Sequence, residues 1–291
     1  MDFVEDYVEA SDLQRRDAKD VIDEFCYEIK KMQGNCLDIG CGPGFVTKKL
    51  LLPILEHDVQ LVANTTGADI SETMVSYAQK HNADEKLSYI VLDIEAPELP
   101  SDQIERYKNI LSFYCLHWCN DLRFALQNVY KLLQSDGKAL IAFLGHHGGF
   151  DEYVRCKQNP RYQQYLQDAH RYVPYFQRMK ISTNYKTSIE ISLRKMLQDI
   201  GFKILHCSKR EKSYRYSKQS LKDHAYAVNP FIHRLPDDIR EEFIDHLVNE
   251  IISHNGLVPF ESTKNEQDMY KNIVLRYYLM IAYVQKLPAA A

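Results

Sequence analysis

The stretch Asp38-Ile39-Gly40-Cys41-Gly42-Pro43-Gly44 decides how the rest of the chain is read. It follows a short apolar run, Asn35 to Ile39, and leads into a helical pattern from Phe45 to Leu55, so it is the turn of a strand, glycine loop, helix unit. Glycine at alternate positions lets the backbone pass close to a ligand with no Cβ in the way.

The spacing is Gly-x-Gly-x-Gly after an acid, whereas a pyrophosphate held at a helix N-terminus calls for Gly-x-Gly-x-x-Gly. A ligand that lacks phosphate and carries positive charge suits this loop better. S-adenosylmethionine has an ammonium and a sulfonium, which a carboxylate such as Asp38 attracts. The alternative is that Gly40, Gly42 and Gly44 serve only the turn.

Working outward from the loop, strands and helices alternate. Strands are expected at Gln60 to Val62, Leu87 to Leu92, Asn109 to Tyr114 and Ala139 to Leu144, with helices at Ser71 to His81 and Leu122 to Leu133. Before the loop, Ser11 caps a helix to about Lys31, because Val21, Ile22, Phe25 and Ile29 share one face. After it, the tyrosine-rich region from Gly145 to Lys186 breaks the pattern. A helix from Ser188 to Ile200 then leads through Gly201 to a strand from Lys203, and a last strand runs from Ile273 to Val284. These two are expected to pair antiparallel, their long connection, with an amphipathic helix near Ile239 to Ile252, folding over the site. The expected fold is therefore Rossmann-like α/β, a mostly parallel seven-stranded sheet with helices on both faces and a helical lid. It forms a single domain over 1–291, with an N-terminal helix and gate at 1–33, a cofactor-binding core at 34–145, and lid segments at 146–187 and 217–268.

Ligands of such sheets sit at the carboxyl ends of the strands, which singles out the acids there. Asp69, with Ile70, is placed to accept from two ribose hydroxyls; its other reading is an acid favoured at a helix start, since Ser71 and Glu72 follow. Asp93 and Ile94 close the third strand, where the acid accepts from an adenine amino group and the isoleucine covers the ring. Ser112 to Trp118 ends the fourth strand, facing the methyl acceptor. Trp118 is the only tryptophan, and its indole N–H is a pure donor suited to a carboxylate in an apolar wall, although core packing accounts for it equally well. His117 is a candidate base, with an exposed or backbone-bonded imidazole as the commoner case. Gln14 stands three residues after Ser11, the spacing of a capping box. Phe150, Tyr153, Tyr162, Tyr165, Tyr172, Tyr175 and Phe176 line a pocket or pack helices. His146-His147 lacks partner ligands at useful spacing, so no metal is expected.

Hydrophobic residues make up 45% of the chain, charged residues 26%, and the net charge is −4, which excludes both a disordered chain and a basic nucleic-acid footprint. The acidic start, Met1 to Asp6, fits neither a secretory signal nor a transit peptide. The longest apolar stretch, Tyr277 to Val284, falls far short of the ~20 residues that span a bilayer. Seven cysteines in no zinc or redox spacing read as reduced thiols, so the expected location is cytoplasmic.

The segments Leu13-Gln14-Arg15-Arg16-Asp17-Ala18, Leu37-Asp38-Ile39-Gly40, Asp69-Ile70-Ser71, Val91-Leu92-Asp93-Ile94-Glu95 and Ser112-Phe113-Tyr114-Cys115-Leu116-His117-Trp118 together resemble the insect juvenile hormone acid O-methyltransferases. So do Phe143-Leu144-Gly145-His146 and Asn229-Pro230-Phe231. The resemblance implies a class I methyltransferase fold and S-adenosylmethionine-dependent esterification of a lipophilic carboxylic acid, farnesoic acid or a juvenile hormone acid. It also implies that Gln14 and Trp118 hold the carboxylate, with Tyr114, His117, His146 and Phe150 lining the acceptor site. The segment Leu61 to Asp69 is longer than the family pattern, and an insertion at Asn64 to Gly67 is expected to shift Asp69. A methyltransferase for another small or fatty acid, or a cofactor-binding relative impaired by that insertion, are the alternatives.

Overall fold

Four successive residues, Cys36 to Ile39, are buried in β1 (Gly34–Ile39), as in a strand covered on both faces of a parallel sheet. In the computed structural model, which describes residues 4–56, 62–183, 188–256 and 272–288, β1 lies near the middle of a seven-stranded sheet. The other strands are β2 (Val62–Asp69), β3 (Leu87–Val91), β4 (Tyr107–Phe113), β5 (Leu133–His147), β6 (Phe202–Tyr216) and β7 (Ile273–Lys286). Their order is β3-β2-β1-β4-β5-β7-β6, and the pairs β1 with β2, β1 with β4, β2 with β3 and β4 with β5 are parallel. The chain runs outward from β1 to β3, then returns to β4 on β1's other side. That reversal is the switch point at whose carboxyl edge a ligand is expected.

The helices preceding β1 are α1 (Val4–Ala10), α2 (Asp12–Glu24) and α3 (Cys26–Lys30), so the single helix expected from Ser11 is broken at Ser11 and Phe25. Ser11 does not cap forward: its hydroxyl donates back to the Val8 carbonyl at 3.4 Å. In α2 the buried stripe is Leu13, Asp17, Ala18, Val21 and Ile22, an acid among apolar side chains. After the glycine loop a wide π-type turn, Val46–Leu51, continues into α4 (Leu52–Leu55). Local sequence governs the next helices. Ser71 accepts from Met74 N to start α5 (Glu72–His81), and Asp121 accepts from Phe124 N to start α6 (Leu122–Leu132).

β2 departs from expectation. Gln60 lies outside the described residues, and Asn64 to Gly67 form the body of the strand rather than an inserted loop. Thr65, Thr66 and Gly67 pair with Cys36, Leu37 and Asp38 on one side and with Leu87, Ser88 and Tyr89 on the other. Threonine is β-branched and fits a pleated surface, and the Thr66 hydroxyl meets Ser88 Oγ at 3.3 Å. A register shift lies at the other end of the strand. Gly34 pairs with Val62 but Cys36 with Thr65, so β2 gains one residue on β1 there. Asp69 keeps its place at the carboxyl tip.

The chain divides into two compact units. One comprises residues 13–143, 185–210 and 280–291 and contains β1 to β4, α2 to α6 and α9 (Ile189–Ile200), which Gly201 ends in a left-handed conformation at φ +109°. The other comprises 1–12, 144–184 and 211–279, with α1, α7 (Gly149–Cys156), α8 (Tyr175–Thr183), α10 (Lys218–Ala227) and α11 (Asp237–Asn255). Of the expected lid segments, 146–183 and 217–256 fall in this second unit, whereas 184–187 and 257–268 lie outside the described residues, and the expected N-terminal gate is divided between the two. Here the aromatic residues pack: Phe150, Tyr153 and Phe231 are buried and meet edge to face in sequence at 5.8 and 5.3 Å. No helix among the described residues is long and apolar enough to cross a membrane.

Candidate active site

The glycine loop is held open by backbone geometry that only glycine adopts readily. Gly40, Gly42 and Gly44 have φ of +74°, +54° and +84°. Gly40 N and Cys41 N both donate to the Ala68 carbonyl, at 2.7 and 3.0 Å, which pins the loop to the end of β2. A Cβ on Gly40 would stand 2.2 Å from Cys115 Cβ, so β4's extension closes the loop's floor. Burial, with the neighbouring Asp69 and Asp38 charges adding to it, pushes the Cys115 thiol far above its ordinary range.

Acids ring the loop. Asp38 is buried and accepts the Thr47 hydroxyl at 2.6 Å. Burial pushes it up to about 7, the Thr47 bond opposing and the neighbouring Asp69 charge adding to the rise. A cation arriving beside it would restore the ionised form. Asp69 accepts Gly42 N and Ser71 N, both at 2.9 Å, so the tip of β2 grips the glycine loop directly. Burial also raises its pKa, against those two N–H groups. Beside it, Ile70 is 65% exposed, an apolar surface at a ligand edge, whereas Ile94 is buried.

Asp93 accepts Glu95 N at 2.8 Å. Two residues that sequence reasoning assigned no role hold this loop. Glu95 accepts Asn120 N and Asp121 N at 2.9 and 2.7 Å, and Asn128 donates to the carbonyls of Ile94 and Ala96 at 2.9 and 3.0 Å. The signal for Asn128 was an amide on the buried face of α6. Ser112 is fully buried and its hydroxyl donates to the Ile39 carbonyl at 2.9 Å. In the structure this hydroxyl ties the end of β4 to the end of β1.

At the end of β4, Tyr114 has φ +58°, a strained conformation for an aromatic residue. Its hydroxyl donates to Asp17 Oδ2 at 2.5 Å, rather than being directed to an acceptor. Asp17, fully buried, also takes Arg16 Nε and Nη2 on Oδ1, at 3.1 and 2.9 Å. The His117 ring lies 5.8 Å from Tyr114 edge-on and 5.0 Å from Trp118, which makes one aromatic cluster at the strand end. Its ring is buried, so of the two common cases, exposed or backbone-bonded, the exposed one does not hold. Gln14 sits one turn before Asp17 on α2, half-buried. Its Oε1 is buried and has no hydrogen-bond partner among the described residues, so the capping role is not realised. Arg15, next to it, lies over the Phe45 ring at 4.4 Å, at the exit of the glycine loop.

Sequence-predicted residues that belong to the other unit are His146 and Phe150. His146 Nε2 is 4.0 Å from Asp151 Oδ2, and Phe150 is buried on α7. His147 is pushed down to about 3 by burial and accepts Gly149 N at 3.1 Å, which suits packing rather than ligation. Glu152, Glu250 and His254 are close enough to share an ion, yet Glu152 already takes Arg155 at 3.0 Å and Asn255 at 2.9 Å.

The residues fit a phosphate-free cationic nucleoside. Two acids with raised pKa values flank a glycine loop, an exposed isoleucine adjoins one of them, and no basic side chain occurs among Asp38 to Gly44 or Asp69 to Thr73.

A methyltransferase domain family matches residues 37–141, from the end of β1 into β5. Juvenile hormone acid O-methyltransferase of Drosophila melanogaster is 33% identical over 288 residues, 97% of this chain and 91% of its own. The enzyme of the same name from Bombyx mori is 30% identical, over 97% of this chain and 96% of its own. Among solved structures, the YcgJ protein of Bacillus subtilis superposes with a TM-score of 0.55 at 15% identity, over 92% of this chain and 98% of its own, a likeness of fold. With its glycine loop and acids in place, and with identity at this level along nearly its whole length, the chain belongs to the juvenile hormone acid O-methyltransferase family and is an S-adenosylmethionine-dependent methyltransferase.

Proposed function

We propose that the acceptor is the carboxylate of farnesoic acid or a juvenile hormone acid, held by Gln14 and Trp118 and released as its methyl ester. The observation that carries this reading is the Gln14 amide oxygen: buried, without a hydrogen-bond partner among the described residues, and on the helix that Asp17 ties to the β4 tip. A half-turn of the amide exchanges its oxygen and nitrogen, so the same position offers N–H donors to an entering carboxylate. The Trp118 indole would supply a second donor from the aromatic cluster. In this reading Asp69 takes the ribose hydroxyls, Asp38 faces the cationic end, and Ile70 and Asp93 border the base. Bound S-adenosylmethionine supplies an activated methyl group and leaves as S-adenosylhomocysteine.

The protein's own part is placement. A carboxylic acid with a pKa of about 4 to 5 is ionised at neutral pH, so its oxygen needs no base to become nucleophilic. Donors on two sides orient that oxygen, and the rings of Tyr114, His117 and Trp118 keep water from it, which strengthens both hydrogen bonds. Seven free cysteines agree with a reducing, cytoplasmic setting.

Two measurements test these roles. Asp69→Ala is expected to weaken S-adenosylmethionine binding by about 1.5 to 3 kcal/mol in calorimetry, the scale of charge-assisted hydrogen bonds; unchanged affinity would remove Asp69 from the ribose. Turnover of farnesoic acid at saturating cofactor is expected to rise through the acid's own pKa and stay nearly flat to about pH 8. If His117 acted as a base, an additional ascending limb would appear and His117→Gln would remove it.

A further inference from the structure

We propose that Asp17 is a positioning residue: through its bond to the Tyr114 hydroxyl it sets the register of α2, and so the place of the Gln14 amide. This rests on the carboxylate-clamp reading above.

Gln14, Asp17, Ala18 and Val21 lie at i, i+3, i+4 and i+7, one stripe of α2, and the last three are buried. Gln14 is therefore the end of a packed stripe, and its direction follows from how the helix sits. Apolar neighbours alone allow a helix to slide or roll by small amounts, because dispersion contacts carry little direction. A carboxylate with no exposure cannot do so without losing its partners. Its partners include Tyr114 Oη at 2.5 Å on Oδ2 and the Arg16 fork at 3.1 and 2.9 Å on Oδ1.

Tyr114 is a rigid partner. Its backbone N–H donates to the Ala142 carbonyl at 2.8 Å, its φ is +58°, and its ring meets His117, which meets Trp118. The Asp17 bond thus joins the helix that carries one carboxylate donor to the strand end that carries the other. Arg15 over Phe45 makes a second attachment, to the exit of the glycine loop. Gln14 adjoins Arg15 and stands one turn from Asp17, so both attachments fix its backbone.

The test is a double-mutant cycle between Tyr114→Phe, which deletes only the hydroxyl, and Gln14→Ala, with Asp17→Asn as the conservative companion that still offers an oxygen to Tyr114. Tyr114→Phe is expected to lower kcat/KM for farnesoic acid by about 10- to 100-fold, the cost of a small misplacement, with S-adenosylmethionine affinity unchanged. In the Gln14→Ala background the same change is expected to cost less than about threefold, since the residue it acts through is gone. Asp17→Asn is expected to retain more activity than Tyr114→Phe. Equal losses from Tyr114→Phe in both backgrounds would overturn the positioning role while leaving the clamp intact. No loss from Gln14→Ala itself would overturn the clamp and this inference together.

Discussion

Gln14→Glu is expected to lower kcat/KM for the acid acceptor by at least about 10- to 100-fold, with S-adenosylmethionine affinity and melting temperature close to the parent. The substitution keeps length and shape but replaces an amide donor with a negative charge. The variant loses a charge-assisted bond of about 1.5 to 3 kcal/mol and adds like-charge repulsion, each 1.4 kcal/mol being tenfold in rate. Because Gln14 Oε1 has no hydrogen-bond partner among the described residues, the folded state loses none there when it changes. Trp118→Phe is the parallel case: it keeps most of the aromatic bulk beside His117 and removes the only indole donor. If both variants turned over farnesoic acid at the parental rate, the acceptor would have to be held elsewhere.

Deleting Asn64 to Gly67 is expected to abolish folding, seen as loss of the cooperative thermal transition. As an inserted loop those residues would be dispensable, and their removal would raise activity. As the body of β2 they pair with Cys36 to Asp38 and with Leu87 to Tyr89, so deletion strips both neighbours of their partners and draws Asp69 away from Gly42 N. A gentler variant tests the same packing. A Cβ on Gly67 would lie 2.6 Å from Tyr89 Cδ1, so Gly67→Ala is expected to cost about 1 to 3 kcal/mol of stability. A deletion variant that still folds and turns over would refute the strand assignment.

Much of the fold was legible because its signals are local. The acid and glycines after Asn35 to Ile39, the Ser71 cap of α5 and the Gly201 end of α9 each declare themselves within a few residues. β2 was not legible, since Asn64-Thr65-Thr66-Gly67 has the composition of a turn and becomes a strand only through pairing with β1 and β3. The site divides in the same way. Asp38 and Asp69 followed from strand ends, whereas the Tyr114 to Asp17 bond joins residues 97 positions apart and no periodicity announces it. A buried acid on the apolar stripe of α2 was the available clue, because such a group requires a partner. Ser11 and Gln14 matched a capping box in spacing, yet Ser11 turned back to Val8 and left Gln14 unpartnered.

The most direct measurement is turnover with methyl-labelled S-adenosylmethionine on farnesoic acid, set beside a saturated fatty acid of similar length. The expected result is a labelled methyl ester of farnesoic acid, formed at a rate that Gln14→Glu sharply reduces, and little or no ester of the saturated acid. Labelled ester from the saturated acid at an equal rate would contradict the terpenoid preference, and no ester from either, with cofactor binding intact, would contradict the proposed function.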